Sequence, residues 1–194
     1  MNDSDPVRTF LAIELPPYIK DLTEDIKKRV MPALKGIRWI RPEGSHITLK
    51  FFGDIFRDNM ICISEVVEKN VRGIAPITLD VRSPGGFPSL KKPRVVWLGI
   101  GGEIQRLEAL QATIDRDLKE CGFPGENRPF KPHLTLGRAR RRGGTIYGVE
   151  HLMQATGDMG THRFDVRELI LFKSKLEPGG AVYTPLSRFP LGEG

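Results

Sequence analysis

His46–Phe51 reads HITLKF and His133–Arg138 reads HLTLGR, so one short pattern occurs twice in this chain. Each copy has a histidine, an aliphatic residue, a threonine and a leucine, in that order. On an extended strand, successive side chains point to opposite faces. The histidine and the threonine of each copy therefore share one face, and the aliphatic side chains occupy the other. One face can pack against a core while the other face carries out chemistry.

Strict alternation also assigns the residues that follow each motif to a face. Lys50 and Phe52 fall on the histidine face, where Lys50 either lines a predicted cleft as a substrate contact or is solvated, and Phe52 can stack on a base. Arg138 falls on the aliphatic face of its strand. A structural ion pair and a phosphate contact are equal alternatives for Arg138, unless a β-bulge turns its side chain toward the histidine face.

The hydrophobic pattern predicts helices and strands around both motifs. Three amphipathic helices are expected: one begins at Pro17 and stops before Pro32, one is capped by Asp58 and ends at Gly73, and one extends from Ile104 to Gly122. Strands are expected at residues 8–14, 37–40, 45–52, 77–82, 94–100, 163–173 and 183–190, with a break at 84–86, a short helix at 149–153 and a hairpin loop at 178–180. The approximately repeated order β-α-β-β indicates an α+β fold of two similar lobes with mainly antiparallel sheets.

The composition is that of a globular protein. Of 194 residues, 39% are hydrophobic and 28% are charged, so neither a disordered chain nor a membrane class is indicated. No apolar run approaches the roughly 20 residues of a membrane helix, and the polar residues 1–5 do not resemble a signal peptide. The formal net charge of +6 favours a polyanionic partner without identifying it. We expect a cytoplasmic monomer that does not bind membranes.

The two cysteines, Cys62 and Cys121, have neither C-x-x-C nor another metal-ligand spacing. Free thiols, buried or inert, are the simplest expectation. A reducing compartment follows from that expectation, in agreement with a cytoplasmic location.

Two histidines that face each other across a cleft suit acid–base catalysis at phosphorus. In-line displacement places the attacking and leaving groups on opposite sides of the phosphorus atom, so one imidazole can accept a proton while the other donates one. Histidine fits both roles because its unperturbed pKa is about 6.5. The hydroxyl groups of Thr48 and Thr135 can donate hydrogen bonds to phosphate oxygens. A zinc site is disfavoured, because neither motif has a Cys, an Asp or a second His at ligand spacing.

The two H-x-T-x motifs resemble those of the 2H phosphoesterase superfamily. Four longer segments, RTFLAIELP, IRWIRPEGSHITLKFFGD, RPFKPHLTLGR and PGGAVYTPLSRFPL, resemble the RNA 2′,3′-cyclic phosphodiesterases, also called 2′-5′ RNA ligases. The resemblance implies that residues 1–194 form a single bilobal domain, with helices packed outside two sheets that flank a central cleft. It also implies hydrolysis of a terminal 2′,3′-cyclic phosphate to a 2′-phosphate, without a metal or another cofactor. The implied partners are RNA ends or small 2′,3′-cyclic nucleotides.

The resemblance also implies a role for each motif residue. His46 is the proton donor to the departing 3′ oxygen, His133 is the proton acceptor for the attacking water, and Thr48 and Thr135 hold the phosphate. The two motifs alone are nearly symmetric, so they leave open which histidine is the acid. Gly137 stands where relatives commonly have Ala, which affects fine positioning more than chemistry.

Two other functions remain alternatives. The same site could join RNA ends by ATP-independent 2′-5′ ligation, with an RNA hydroxyl in place of water. The sequence contains no G-x-x-x-x-G-K-[ST] motif, so an ATP-driven ligase is disfavoured. The fold could also serve as a non-catalytic nucleotide-binding or RNA-binding module, although both motifs are intact. The basic run Arg140–Arg142 is either a solvated loop or an electrostatic guide for RNA.

Overall fold

A computed structural model of the protein describes residues 5–126, 128–157, 160–177 and 180–192. This part of the chain contains nine strands and four α-helices. The strands are β1 (Val7–Glu14), β2 (Ile37–Trp39), β3 (His46–Ile55), β4 (Ile77–Phe87), β5 (Val95–Gly102), β6 (His133–Ala139), β7 (His162–Val166), β8 (Glu168–Glu177) and β9 (Gly180–Pro190). The helices are α1 (Pro17–Val30), α2 (Arg57–Val71), α3 (Ile104–Asp117) and α4 (Val149–Gly157).

The strands form two antiparallel sheets. One sheet has four strands in the order β3-β1-β8-β9, and the other has five in the order β2-β6-β5-β4-β7. Each sheet holds one histidine strand, and β3 approaches β6 where the two sheets meet. Helix α1 packs against α4, and α2 packs against α3. The predicted α+β fold with mainly antiparallel sheets is confirmed.

The sheets do not follow the two halves of the sequence. Strand β2, from the N-terminal half, pairs with β6 in the five-stranded sheet. Strands β8 and β9, from the C-terminal end, join the four-stranded sheet through β1. The single strand predicted at 163–173 is therefore two strands, one in each sheet. The hairpin loop predicted at 178–180 falls partly outside the described residues, and β8 and β9 pair on either side of it.

The strand break predicted at residues 84–86 is wrong. Strand β4 continues to Phe87, with a register shift between Arg82 and Pro84. Strand β7 pairs only with the first part of β4, from Ile77 to Val81. Pro84 can stay in the strand because no partner on that side needs its missing N–H group.

The helices begin and end close to the predicted positions. Pro17 is the first residue of α1, where its missing N–H group costs nothing. Helix α2 begins at Arg57, so Asp58 lies in the first turn and is not the predicted cap. Helix α3 ends at Asp117, and turns continue to Gly122, whose φ of 82° suits glycine. None of the described helices has the length and apolar character needed to span a bilayer.

The aliphatic residues of both motifs anchor the histidine strands in the main hydrophobic core. Ile47, Leu49, Leu134 and Leu136 are all buried there. A smaller cluster of Phe10, Ala12, Ile170 and Phe172, with Tyr183 packed against it, lies in the four-stranded sheet. The histidine faces are therefore held by strands whose opposite sides cannot move without opening the core.

Cys62 and Cys121 form a disulfide, so the expectation of two free thiols is wrong. Their Cα atoms lie 5.8 Å apart although 59 positions separate them in the sequence. Helix α2 carries Cys62, and Cys121 follows α3, so the packing of α2 against α3 brings the two sulfur atoms together. The sequence offered no signal for this pairing, because neither cysteine belongs to a short spacing motif. The inference of a reducing compartment from free thiols loses its basis.

Candidate active site

A β-bulge at the same place in β3 and β6 sets the direction of the side chains that follow each motif. In the ladder between β1 and β3, Leu49 has no partner, and in the ladder between β5 and β6, Leu136 has none. Each bulge adds one residue to its strand, so strict alternation fails from this point onward. The two strands consequently share one pattern from the histidine onward: half-buried, buried, half-buried, buried, buried and exposed.

The bulges bring Phe51 and Arg138, which occupy equivalent positions, to the exposed side of their strands. Phe51 is 46% exposed although alternation placed it on the aliphatic face. The Arg138 guanidinium is close enough to His46 and His133 to lower the pKa of both imidazoles. The β-bulge that would turn Arg138 toward the histidine face is therefore present. A contact between Arg138 and a phosphate stays a prediction.

Lys50 is buried in an ion pair, although alternation placed it on the histidine face. The residue is 5% exposed, and its Nζ lies 2.5 Å from Oδ1 of Asp115 and donates to the carbonyl oxygen of Pro124 at 2.9 Å. Asp115 also accepts a hydrogen bond from the backbone N–H of Glu126 at 3.0 Å. Lys50 thus ties β3 to α3 and to the segment that leads into β6. The extra residue of the bulge is the physical reason for this change of face.

Phe52 does not offer the free stacking surface that was predicted. It is half-buried against the main core, and its ring centroid lies 5.0 Å from that of Phe123 in an edge-to-face arrangement. The exposed aromatic residue of this strand is its neighbour, Phe51. The Arg8 guanidinium carbon lies 4.6 Å from the centroid of the Phe51 ring.

His46 lies among aromatic side chains of the four-stranded sheet. Its ring centroid is 4.6 Å from that of Phe10 and 5.1 Å from that of Tyr183, which meets it edge to face. The Nδ1 atom is 2.9 Å from the carbonyl oxygen of Gly44. A 3-10 turn at Pro42–Gly44, directly before β3, holds that carbonyl in place.

His133 has a parallel setting in the five-stranded sheet. Its ring centroid is 5.0 Å from that of Phe87 and 5.8 Å from that of Trp97. The Nδ1 atom is 2.7 Å from the carbonyl oxygen of Lys131, and the Lys131 ammonium lies 4.9 Å from the Trp97 ring centroid. Trp97 lies flat against β4 because Gly85 faces it, and a Cβ at Gly85 would overlap the indole ring.

The same hydrogen bond fixes the tautomer of both histidines. In each case Nδ1 faces a carbonyl oxygen two residues earlier in the chain, and a carbonyl oxygen can only accept. Nδ1 therefore carries the proton, and Nε2 is the atom that gains or loses one. Both imidazoles are prepared for proton transfer at Nε2.

Burial shifts the pKa of both histidines downward. Loss of solvation disfavours the charged imidazolium and lowers the pKa of His46 to about 4, with smaller contributions from the Arg138 and His133 charges. The pKa of His133 is also lowered, first by burial and then by the charges of Arg138 and Lys131. The charge of His133 thus contributes to lowering the pKa of His46, and Arg138 contributes to lowering the pKa of both imidazoles.

Thr48 and Thr135 lie two residues beyond the histidines and are half-buried on the same face. Within the described residues, neither hydroxyl has a protein hydrogen-bond partner. Two unpaired hydroxyl donors beside two imidazoles and a guanidinium can bind the non-bridging oxygens of a phosphate. The structure thus places His46 and Thr48 on β3 and His133 and Thr135 on β6, and these two strands approach each other where the sheets meet. Their binding of a phosphate stays a prediction.

Several residues around the cleft were missed because they come from other strands. The aromatic neighbours of the histidines are Phe10, Tyr183, Phe87 and Trp97. Sequence alternation within one strand contains no information about the strand that pairs with it. The one available signal was the family resemblance of the segments RTFLAIELP and PGGAVYTPLSRFPL, which contain Phe10 and Tyr183.

Of the basic run Arg140–Arg142, Arg140 makes a hydrogen bond within the protein and the other two arginines are exposed. The Arg140 Nε donates to the carbonyl oxygen of Ile37 at 2.8 Å and so links the end of β6 to β2. Arg141 and Arg142 are exposed. The predicted electrostatic guide for RNA therefore rests on Arg141 and Arg142, whereas Arg140 has a structural contact.

The donor groups of the cleft differ from those of a metal site. Across the ranges that the structure describes, no group of three or more His, Cys, Asp or Glu side chains is arranged to hold a metal ion. The polar groups at the cleft are hydroxyl, imidazole and guanidinium donors, which suit an anion.

The fold and the paired His-x-Thr strands define a class of α+β proteins with a two-histidine cleft. The family model of the 2′-5′ RNA ligase superfamily matches residues 16–176. Because this match covers most of the chain, the protein belongs to the 2′-5′ RNA ligase superfamily.

Curated relatives extend over nearly the whole chain. A Methanothermobacter thermautotrophicus protein named RNA 2′,3′-cyclic phosphodiesterase is 34% identical over 188 residues, which cover 95% of this chain and 99% of the relative. A Thermotoga maritima protein of the same name is 32% identical and covers 93% of each chain.

Solved structures share the fold over a similar extent. The crystal structure of a Thermus thermophilus protein superposes with a TM-score of 0.77 at 26% identity, covering 96% of this chain and 98% of that one. E. coli LigT complexed with 3′-AMP has a TM-score of 0.75 at 27% identity, covering 97% of this chain and 99% of LigT.

Proposed function

We propose that this protein hydrolyses the terminal 2′,3′-cyclic phosphate of RNA to a 2′-phosphate. The observation that carries the proposal is the pair of histidines with Nδ1 bound to a backbone carbonyl, Nε2 available, and Arg138 close to both. The names of the curated relatives support the same substrate. Small 2′,3′-cyclic nucleotides are expected to be substrates as well.

In the proposed reaction the cyclic phosphate lies between the two imidazoles. Nε2 of His133 takes a proton from water as the water oxygen bonds to phosphorus. The bond between phosphorus and O3′ breaks, and Nε2 of His46 gives its proton to O3′. Thr48, Thr135 and Arg138 stabilise the negative charge of the phosphoryl oxygens, which is largest in the transition state.

The proposed acid must carry a proton when the substrate is bound. In the free protein the pKa of His46 is about 4, so this imidazole is mostly neutral near pH 7. A bound phosphate anion favours the imidazolium and raises that pKa. Substrate binding and proton uptake by His46 are therefore coupled, and the assignment of His46 as donor follows the family pattern.

The decisive experiment uses an oligonucleotide that ends in a 2′,3′-cyclic phosphate, incubated with the protein and an excess of EDTA. The expected product is the 2′-phosphate at an unchanged rate, because we propose that the protein's own donors stabilise the charge without a metal or cofactor. Mass spectrometry detects the addition of water, and phosphorus NMR distinguishes the 2′-phosphate from the 3′-phosphate. A 3′-phosphate product, or turnover that persists in His46→Ala or His133→Ala, would contradict the proposal.

A second candidate function, ATP-independent 2′-5′ joining of RNA ends, is favoured by the near-symmetry of the site. Both imidazoles have the same tautomer and equivalent backbone anchors, so each can act as acid or base when the reaction runs in reverse. An RNA hydroxyl would then replace water beside His133. Incubation of cyclic-ended and 5′-hydroxyl strands without ATP would reveal the joined product.

We also propose that the protein acts as a monomer in the cytoplasm. One chain supplies both histidines, both threonines and Arg138, so the cleft needs no residue from a second copy. Sedimentation analysis should give the mass of one chain. The Cys62–Cys121 disulfide requires a test of the location, and alkylation of the protein inside intact cells will show whether these cysteines are oxidised there.

A further inference from the structure

Two cavities of opposite charge adjoin the histidine pair. The His46 cavity, of about 430 Å³, lies between the start of α1, the turn before β3 and β9, and reaches Tyr183. Its charged residues are Glu14, Asp21, Glu43 and Lys20, and Lys20 is already paired with Glu14 at 3.0 Å. Positive charge is therefore not in excess in this cavity.

The His133 cavity is larger and basic. Its volume is about 530 Å³, and it extends from His133 and Thr48 along α3 and the segment that leads into β6. Its cationic side chains are those of Lys50, Arg116, Lys119, Arg128 and Lys131, and its carboxylates are those of Asp115 and Glu126. Positive charge is therefore in excess on this side of the site.

Two of these cations are free for a ligand. Lys50 is paired with Asp115, and Arg116 contacts Asp117 at 2.9 Å. Lys119 and Arg128 are exposed and have no ion-pair partner in the described part of the chain. Free, exposed cations in a groove are the groups that bind the phosphates of a nucleic acid strand.

The same cavity has aromatic walls. Phe51, Phe87 and Phe130 line it, and Phe51 is 46% exposed. Unpaired bases stack on aromatic side chains, and single-strand sites combine such surfaces with cations that follow the backbone. Charge and aromatic surface together favour a single strand of RNA as the occupant.

The position of the cavity relative to the chemistry determines which strand it binds. In-line displacement places the attacking oxygen opposite O3′ and therefore on the side of His133. We propose that the His133 cavity binds the RNA strand whose 5′-hydroxyl takes the place of water. This inference rests on the proposed function, because it uses His133 as the base that adjoins the attacking oxygen.

The step balances without ATP. The 5′ oxygen bonds to phosphorus while the bond from phosphorus to O3′ breaks. The proton of the 5′-hydroxyl goes to Nε2 of His133, and the proton of His46 goes to O3′. The product is a 2′-5′ phosphodiester, and the reverse step cleaves it with His133 as the acid.

The test compares the double variant Lys119→Glu/Arg128→Glu with the unaltered protein. We expect binding of a fluorescent 5′-hydroxyl oligonucleotide to weaken about tenfold or more, and the slope of log affinity against log salt to fall by about 1.4 for two lost phosphate contacts. Joining of this strand to a cyclic-ended strand should fall by a similar factor. Hydrolysis of a 2′,3′-cyclic mononucleotide should stay within about twofold, because neither residue touches the histidines or threonines.

A matched control makes the same charge change elsewhere. Lys28→Glu/Arg29→Glu alters two exposed residues at the far end of α1 and should leave strand binding within about twofold. Equal loss of binding in both double variants, or unchanged binding in the Lys119/Arg128 variant, would overturn the inference. Failure of the unaltered protein to hydrolyse a cyclic mononucleotide would instead overturn the proposed function. The comparison of the two double variants would still show whether the His133 cavity binds an RNA strand.

Discussion

The His46 half and the His133 half of the cleft have the same backbone and different side chains. Both strands carry a histidine, a threonine and a bulge at the second leucine, and both histidines bind the carbonyl two residues upstream. After the bulge, however, β3 has Lys50 and Phe51 where β6 has Gly137 and Arg138. In the proposed mechanism the shared part holds the reacting atoms, and the differing part makes the site directional.

The difference shows how a nearly two-fold site acquires a preferred direction. Arg138 supplies one guanidinium to both histidines, whereas its equivalent, Phe51, supplies an aromatic surface on one side only. Burial lowers the pKa of both imidazoles, and that of His46 falls to about 4. Two equivalent bases therefore have different surroundings, and different surroundings can assign different roles.

Replacing the two histidines tests the comparison most severely. His46→Ala and His133→Ala should each lower kcat/KM for a cyclic nucleotide by about 10²–10⁴-fold, because each removes one proton-transfer group. The two variants should differ on a substrate with a p-nitrophenolate leaving group, which departs without a proton. His46→Ala should then regain most of its activity and His133→Ala should not. The opposite pattern would exchange the two roles.

Lys50→Met should mainly affect stability. The change leaves Asp115 without its partner, and loss of one member of a buried ion pair costs about 3 kcal/mol. Urea unfolding measures the free energy of unfolding, and turnover of a cyclic mononucleotide below the transition should stay within about threefold. A large loss of turnover in the folded variant would restore the prediction that Lys50 contacts the substrate.

Arg138→Gln and Phe51→Ala probe the equivalent positions after the two bulges. Arg138→Gln should lower kcat/KM by about 10–100-fold, which corresponds to the loss of one charge-assisted interaction of about 1.5–3 kcal/mol. It should also raise the pKa values of both histidines, because a positive neighbour is removed. Phe51→Ala is the matched control and should leave those pKa values unchanged in an NMR titration.

Gly137→Ala tests why the second half has no side chain where the first half has Lys50. A Cβ at Gly137 would lie 2.5 Å from Cδ1 of Ile37 on β2. Overpacking of this kind costs about 1–3 kcal/mol in the free energy of unfolding. Cγ1 of Ile37 would lie at 2.6 Å, so both carbons must be removed, as in Ile37→Ala. This change should make the double variant more stable than the sum of the single changes, and strict additivity would show that the two positions do not interact.

The pH profile of kcat/KM is the mildest test. The pKa of His46 is about 4 and that of His133 is below its usual value, so at neutral pH both imidazoles of the free protein are mostly neutral. Only a small fraction of His46 then carries the proton that the leaving oxygen needs. Lowering the pH from about 8 should raise kcat/KM by severalfold to a maximum below about pH 6.5. At still lower pH the rate should fall again, because protonation of His133 removes the base. A maximum above about pH 7 would contradict these lowered pKa values.

The sequence correctly predicted the features that depend on local pattern. The repeated His-x-Thr spacing placed His46, Thr48, His133 and Thr135 on matching faces, because alternation is a property of any extended strand. It did not predict the burial of Lys50 against Asp115, because a bulge depends on the register with the neighbouring strand and one strand alone does not determine that register. The same limit hid the disulfide, whose two cysteines come together only through helix packing.

The sequence by itself determined that this protein has paired strands with a buried aliphatic face and a histidine face, since hydrophobic periodicity acts over a few residues. Tertiary structure alone decided that β2 crosses into the second sheet, that the charge of Arg138 acts on both histidines, and that the cation-rich cavity adjoins His133. These features arise from contacts between segments far apart in the chain. Their energies depend on packing and solvation that no single stretch of sequence contains.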